Sequence, residues 1–210
     1  PAAARDAADN AAAAGFTDLG LHIDLGECAY HDGAWRQIAH VVDTADAAAV
    51  AAECRAQLDI FRDLVGRDPT HLDSHQHVHR DEPVRQIALD LAAELGVPLR
   101  HFAADVAHCG GFYGQTGRGE PAPGQLTVAA LVALLHDEAA KTDAAAIEVG
   151  CHPGWDADLD TMYRAERPTE VEVLCDPALR AALADIGLEL GTFAGLDAVR
   201  DGKRAGGRSA

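Results

Sequence analysis

Thr70-His71-Leu72-Asp73-Ser74-His75-Gln76-His77-Val78-His79 alternates two kinds of side chain along its whole length. A strand repeats every two residues, so the pattern predicts a strand over about 70–75 and puts His71, Asp73, His75, His77 and His79 on one face. The five cannot share one ion. At roughly 3.3 Å per residue the steps from His71 to His79 span about 26 Å, whereas an imidazole nitrogen sits about 2.0–2.1 Å from zinc. A neighbouring pair can bind an ion while the others orient ligands, serve as acid or base, or touch substrate.

Working outward, helices and strands alternate. Residues 2–14 read as a helix closed by Gly15, and 19–25 alternate as a strand. A helix over 44–66 opens at Thr44 and stops at Gly66, and another over 82–95 is closed by Gly96. Residues 97–102 read as a short strand, and the Gly-rich 106–125 as a long loop. Thr127 caps a helix to Lys141, 145–151 form a strand, Asp176-Pro177 opens a helix to Ile186, and 188–193 form the last strand. Five strands alternating with helices predict an α/β protein with a parallel sheet, either doubly wound or a β/α barrel. His22, His75 and His152 fall at or near C-terminal strand ends, with His101 near another. A barrel gathers its catalytic groups on that rim.

With 210 residues, 48% of them hydrophobic, the chain can bury a sizeable core, and one domain over 1–200 with a flexible tail over 201–210 is expected. The 17 Lys and Arg face 34 Asp and Glu, a net charge of -17. Such a surface repels phosphate backbones and anionic membranes, so neither nucleic acid nor membrane is an expected partner. Cys28, Cys54, Cys109, Cys151 and Cys175 are odd in number and form no CxxC pair, which fits a reducing compartment, and a cytoplasmic location is expected. No apolar run approaches about 20 residues.

Single residues carry the chemistry. His22 follows Gly20, which permits close backbone approach on the same side of the strand. His152, in Cys151-His152-Pro153-Gly154, ends a strand at a turn, a place for general acid or base work near pH 7. Cys151 reads as inert packing. Phe112 and Tyr113 offer faces that can stack on a sugar or pack the core. The glycines of 109–119 match no nucleotide-binding fingerprint. The charged run 163–170 reads first as a solvated face.

The histidine-rich stretch, Gly20-Leu21-His22 upstream and Cys151-His152-Pro153-Gly154 downstream, together with Phe112-Tyr113-Gly114 and the segment 187–192, resembles the YdjC/ChbG-like carbohydrate deacetylases. The resemblance implies a distorted TIM-like β/α barrel, a divalent ion (Mg2+ or Zn2+), and removal of acetyl groups from N-acetylated sugars such as chito-oligosaccharides. It maps the two metal histidines onto His22 and His75. His152 becomes the candidate for protonating the leaving amine or stabilising the oxyanion, with Asp73 and His77 orienting ligands and Phe112 and Tyr113 meeting the sugar. The family pattern also has an Asp-Asp pair on a first barrel strand. Asp6, Asp9 and Asp18 lie in helix or loop sequence instead, so the resemblance reads the barrel as incomplete at the N-terminus by roughly 30 residues or more. The partner is then a small acetylated sugar, and a homodimer is compatible with it.

Two rivals accompany this reading. An inactive, truncated homologue would bind metal weakly through two histidines alone, or bind sugar. A metal-dependent phosphoesterase on another β/α barrel would favour a basic rim, and only Arg80 and Arg100 stand beside the strand-end histidines.

Overall fold

The computed structural model describes residues 2–155 and 161–196, and the tail expected over 201–210 lies outside them. As far as those residues go, the chain is a mixed α/β protein of two compact units. One comprises Pro1–Ala29, Trp35–Ala103 and Thr192–Gly195; the other comprises Tyr30–Ala34, Ala104–Gly191 and Leu196–Ala210.

The first unit holds α1 (Ala2–Ala13), β1 (Leu21–Ile23), all but the tip of the hairpin strands β2 (Gly26–His31) and β3 (Ala34–His40), α2 (Ala47–Val65), β4 (Leu72–Ser74), a 3-10 turn (His75–Arg80) and α3 (Val84–Leu95). Asp46, not Thr44, caps α2: its carboxylate accepts the N–H groups of Ala48 and Ala49. Gly66 and Gly96 end α2 and α3 in the left-handed conformation at φ 77° and 67°. On α2, Val50, Cys54 and Leu58 recur every four residues and pack with Leu21, Ile23, Leu72, Ala88 and Leu91 into one core. At about 1.5–3 kcal/mol per large apolar side chain, this burial outweighs exposed ion pairs such as Arg55–Glu94, which solvent screens.

Strands β1 and β4 pair in parallel, with Leu21 opposite Leu72, His22 opposite Asp73 and Ile23 opposite Ser74. Residues 97–102 contribute only a bridge from Leu99 to Leu72, because His101 turns into the left-handed region at φ 67° and ends the extended run. The β2–β3 hairpin falls in sequence that gave no strand reading. Its connection is Asp32-Gly33, both at positive φ, a pairing suited to a two-residue hairpin turn.

The second unit contains β5 (Val106–Cys109), α4 (Val128–Lys141), β6 (Ala146–Val149), α5 (Glu166–Leu174) and α6 (Pro177–Asp185). Thr127 caps α4 by accepting the N–H of Ala130, and Asp176 caps α6 through Ala178. Strand β5, within the expected long loop, pairs in parallel with β6, His108 opposite Glu148. Phe112, Leu126, Leu131, Leu135, Val173, Leu179 and Leu183 form this unit's core.

Three further expectations are corrected. The histidine-rich strand stops at Ser74: Gln76 and His77 take positive φ (49° and 57°), so 75–80 turn and the five polar residues do not share a face. The strand over 188–193 is absent among the described residues. The N–H groups of Phe193 and Ala194 donate to the carboxylate of Asp18, at 2.7 and 3.2 Å, instead of to a ladder. The charged run 163–170 is not a solvated face, since Tyr163 is 5% and Glu170 0% exposed.

Parallel pairing is limited to the two-stranded sheets β1–β4 and β5–β6 and the Leu72–Leu99 bridge, and no closed barrel is formed among the described residues. All five cysteines are free thiols. No described helix is long and apolar enough to cross a membrane.

Candidate functional site

In the first unit the register of β1 against β4 decides the geometry. His22 and Asp73 face each other across the pair, and His22 Nδ1 donates to Asp73 Oδ1 at 2.9 Å. The other carboxylate oxygen of Asp73 pairs with Arg100, whose side chain is 16% exposed. Asp73 itself is buried, so both oxygens meet a cationic or N–H partner where water is scarce. His75, the first residue beyond β4, sets its ring 5.7 Å from that of His22, the planes at 79°.

His22 and His75 are residues that could hold a divalent ion. With Nδ1 held by Asp73, Nε2 is the atom His22 could offer to an ion, as in carboxylate–histidine pairs that orient metal-bound imidazoles. Two imidazoles bound at about 2.0–2.1 Å to one ion can span the observed centroid separation. His22 is half exposed, which leaves substrate an approach.

The remaining histidines of the stretch separate by role. His79 is fully buried: its N–H and Nδ1 engage Ser74 Oγ at 3.1 and 2.5 Å, and Nε2 donates to the Arg100 carbonyl at 3.1 Å. Burial lowers its pKa from the usual histidine range, so it is a neutral structural brace for the turn. His77 packs edge-on against His101 with centroids 4.9 Å apart, both residues at positive φ. His71 stacks on Phe193 at 3.9 Å, and a Cβ on Gly20 would come within 2.3 Å of its ring, which is why glycine precedes Leu21. Gln76 anchors the turn, donating to the Cys28 carbonyl at 2.6 Å and accepting the Cys28 N–H at 2.8 Å.

In the second unit His152 is exposed at the turn after β6, its ring 5.7 Å from Tyr113 and 5.4 Å from Tyr163. Tyr113 stacks on Tyr163 at 4.2 Å, so one face of Tyr113 is already covered. Phe112 is fully buried in the core; an aromatic facing the apolar side of its loop has no face for a sugar, and the substrate-stacking expectation for it is withdrawn. Trp155, beyond His152, is 71% exposed and carries the open aromatic surface instead.

Sequence reading gave Arg100 only as a basic neighbour of the strand-end histidines, left Glu170 in a solvated run and passed over His108. Arg100 needs the bridge at Leu99 to reach Asp73. His108 is buried beside Glu148, its Nδ1 3.7 Å from Oε2, where Gly110 and Gly150 leave room for the ring. It lies in a segment that reads as loop, so no local signal marked it. Glu170 sits in a charged run with no local cue to burial. Its carboxylate accepts the N–H of His152 and the hydroxyl of Tyr163, and desolvation raises its pKa above the usual carboxylate value.

The family model for YdjC-like proteins matches residues 1–185. Chitooligosaccharide deacetylases of Salmonella dublin and Salmonella schwarzengrund are each 33% identical over 167 residues, covering 72% of this chain and 62% of theirs. The match thus spans less than two thirds of those relatives' length. In fold the chain is similar to a candidate cellobiose-phosphate cleavage protein of Enterococcus faecalis, with a TM-score of 0.65 at 22% identity over 91% of this chain and 83% of that one.

Proposed function

Because the chain belongs to the YdjC-like protein family, we propose that it takes part in metal-dependent hydrolysis of the acetamide of small N-acetylated sugars of the chito-oligosaccharide kind. The observation that carries this reading is the His22–Asp73 hydrogen bond with His75 edge-on beside it. A carboxylate that fixes one histidine's Nδ1 next to a second imidazole is a ligand arrangement, and the relatives' name supplies the reaction class.

His22 and His75 would hold the ion, Zn2+ or Mg2+, with the imidazole pair favouring zinc. When bound, a divalent ion lowers the pKa of water and polarises a carbonyl. Asp73, both of whose oxygens are engaged, orients His22 and does not act as the base; His77 orients the turn. His152 offers an exposed imidazole to protonate the leaving amine. Tyr113 and Trp155 supply aromatic edges and faces for the sugar.

The distorted TIM-like barrel as a single domain over 1–200 belongs to this proposal, supported by the parallel pairing in each unit. A cytoplasmic location and a homodimer belong to it too.

Acetate release from N,N′-diacetylchitobiose by the full-length protein tests the reading. Turnover restored by Zn2+ or Mg2+ after chelation, and lost in His22→Ala and His75→Ala, supports it. Chelator-resistant turnover, or none with any acetylated sugar, overturns it.

A further inference from the structure

We propose that Glu170 is the positioning residue for His152, fixing the exposed imidazole through the backbone of the turn that bears it; this rests on the reading of His152 as proton donor to the leaving amine. Glu170 is fully buried on α5, and its two oxygens are shared between His152 N–H and Tyr163 O–H. The Tyr163 oxygen in turn accepts the N–H of Gly114 at 2.9 Å, which ties the Tyr113 loop to the same carboxylate. One helical turn earlier, Arg167 donates Nη1 to the His152 carbonyl at 3.5 Å and Nε to the Tyr163 carbonyl at 2.9 Å. Its own carbonyl accepts the N–H of Gly154 at 3.4 Å. Both backbone polar groups of His152 are therefore held by one face of α5, while the ring stays exposed.

Burying a carboxylate is costly, and a neutral side chain could close a turn more cheaply. The chain places that charge under an exposed histidine whose ring is also flanked by Tyr113 and Tyr163. What such an arrangement yields is a fixed ring, and misplacement by about 1 Å can cost about 100-fold in rate.

The test compares wild-type full-length protein with Glu170→Gln, Tyr163→Phe and Glu170→Ala. It reads kcat and KM on diacetylchitobiose, Zn2+ affinity by calorimetry, and the His152 amide proton by NMR. Glu170→Gln is expected to lower kcat about 10-fold with KM within about twofold and Zn2+ affinity unchanged, Glu170→Ala to lower kcat about 100-fold. The amide proton, hydrogen-bonded to the Glu170 carboxyl in the wild type, moves upfield in both as that acceptor is weakened or removed. A brace serving only the fold would lower the melting temperature without separating kcat from KM. Should Glu170→Ala fail to fold, Glu170→Gln keeps the volume and Tyr163→Phe removes one hydroxyl, and either supplies the readout. Unchanged kcat in Glu170→Gln and Tyr163→Phe where His152→Ala is impaired, or an unmoved amide proton in Glu170→Gln, overturns the proposal. Full turnover in His152→Ala sinks the reading of His152, while an upfield amide shift in Glu170→Gln still upholds the positioning.

Discussion

His22 and Asp73 are register partners on the parallel strands β1 and β4, joined through Nδ1 and Oδ1 at 2.9 Å. Asp73 also carries the ion pair with Arg100. Replacing it therefore has two separable consequences. Asp73→Asn keeps the volume and an acceptor oxygen but removes the charge, and Zn2+ affinity is expected to fall about 10- to 100-fold, the usual cost of losing a histidine's supporting carboxylate. Arg100→Gln breaks the pair from the other side and leaves His22 its partner, so it should lower stability more than metal affinity. Calorimetric titration and thermal melting of the two variants check this, and equal Zn2+ losses would refute the division.

Phe112 and Tyr113 are neighbours with opposite surroundings. Phe112 is fully buried among Leu126, Leu131 and Leu135, so Phe112→Ala should destabilise by about 3–5 kcal/mol. Tyr113 is half-buried over Tyr163. Tyr113→Ala and Trp155→Ala should cost less stability and raise KM for acetylated sugars. Urea unfolding beside steady-state kinetics separates them; a KM effect confined to Phe112→Ala would reverse the assignment.

What sequence made legible follows from how local each signal is. Helix ends at Gly66, Gly96, Thr127 and Asp176 depend on one or two residues and stand where chain chemistry puts them. The start of α2 shifted to Asp46 because two cap-forming residues compete within three positions. A strand of four residues inside glycine-rich sequence, such as β5, is too short to show alternation. The histidine stretch misled in the opposite way, its period of two continuing through a turn that Gln76 and His77 make at positive φ without a glycine to announce it. Glu170 was illegible because its partners, Tyr163 and His152, are brought to it only by the fold.

The five thiols should differ sharply in reactivity. Cys54 is buried on α2, and desolvation pushes its pKa up to about 11. Cys175, at the end of α5, is exposed. In native protein an aromatic disulfide reagent at mildly alkaline pH should modify Cys175 first and leave Cys54 untouched until denaturant is added. Peptide mapping after brief labelling reads this, and early label on Cys54 would mean that α2 opens from the core.

His79 gives the fold an acid limit of defined sign. Burial holds its folded pKa below 6.5, so the folded state favours the neutral ring more than the unfolded chain does. Its contribution is fully present above 6.5 and is lost as pH falls from there through the lowered folded value. The neutral tautomer is specified: Nε2 donates to the Arg100 carbonyl, so Nδ1 accepts from Ser74 Oγ, and a proton on Nδ1 would abolish that acceptor. In His79→Gln the pH-linked part disappears, although overall stability is lower because the Ser74 contact is altered. Urea unfolding from about pH 8 down to about pH 4 should thus show the wild-type advantage shrinking below 6.5. An advantage that stays constant across that range would mean that His79 is protonated at no cost to the fold.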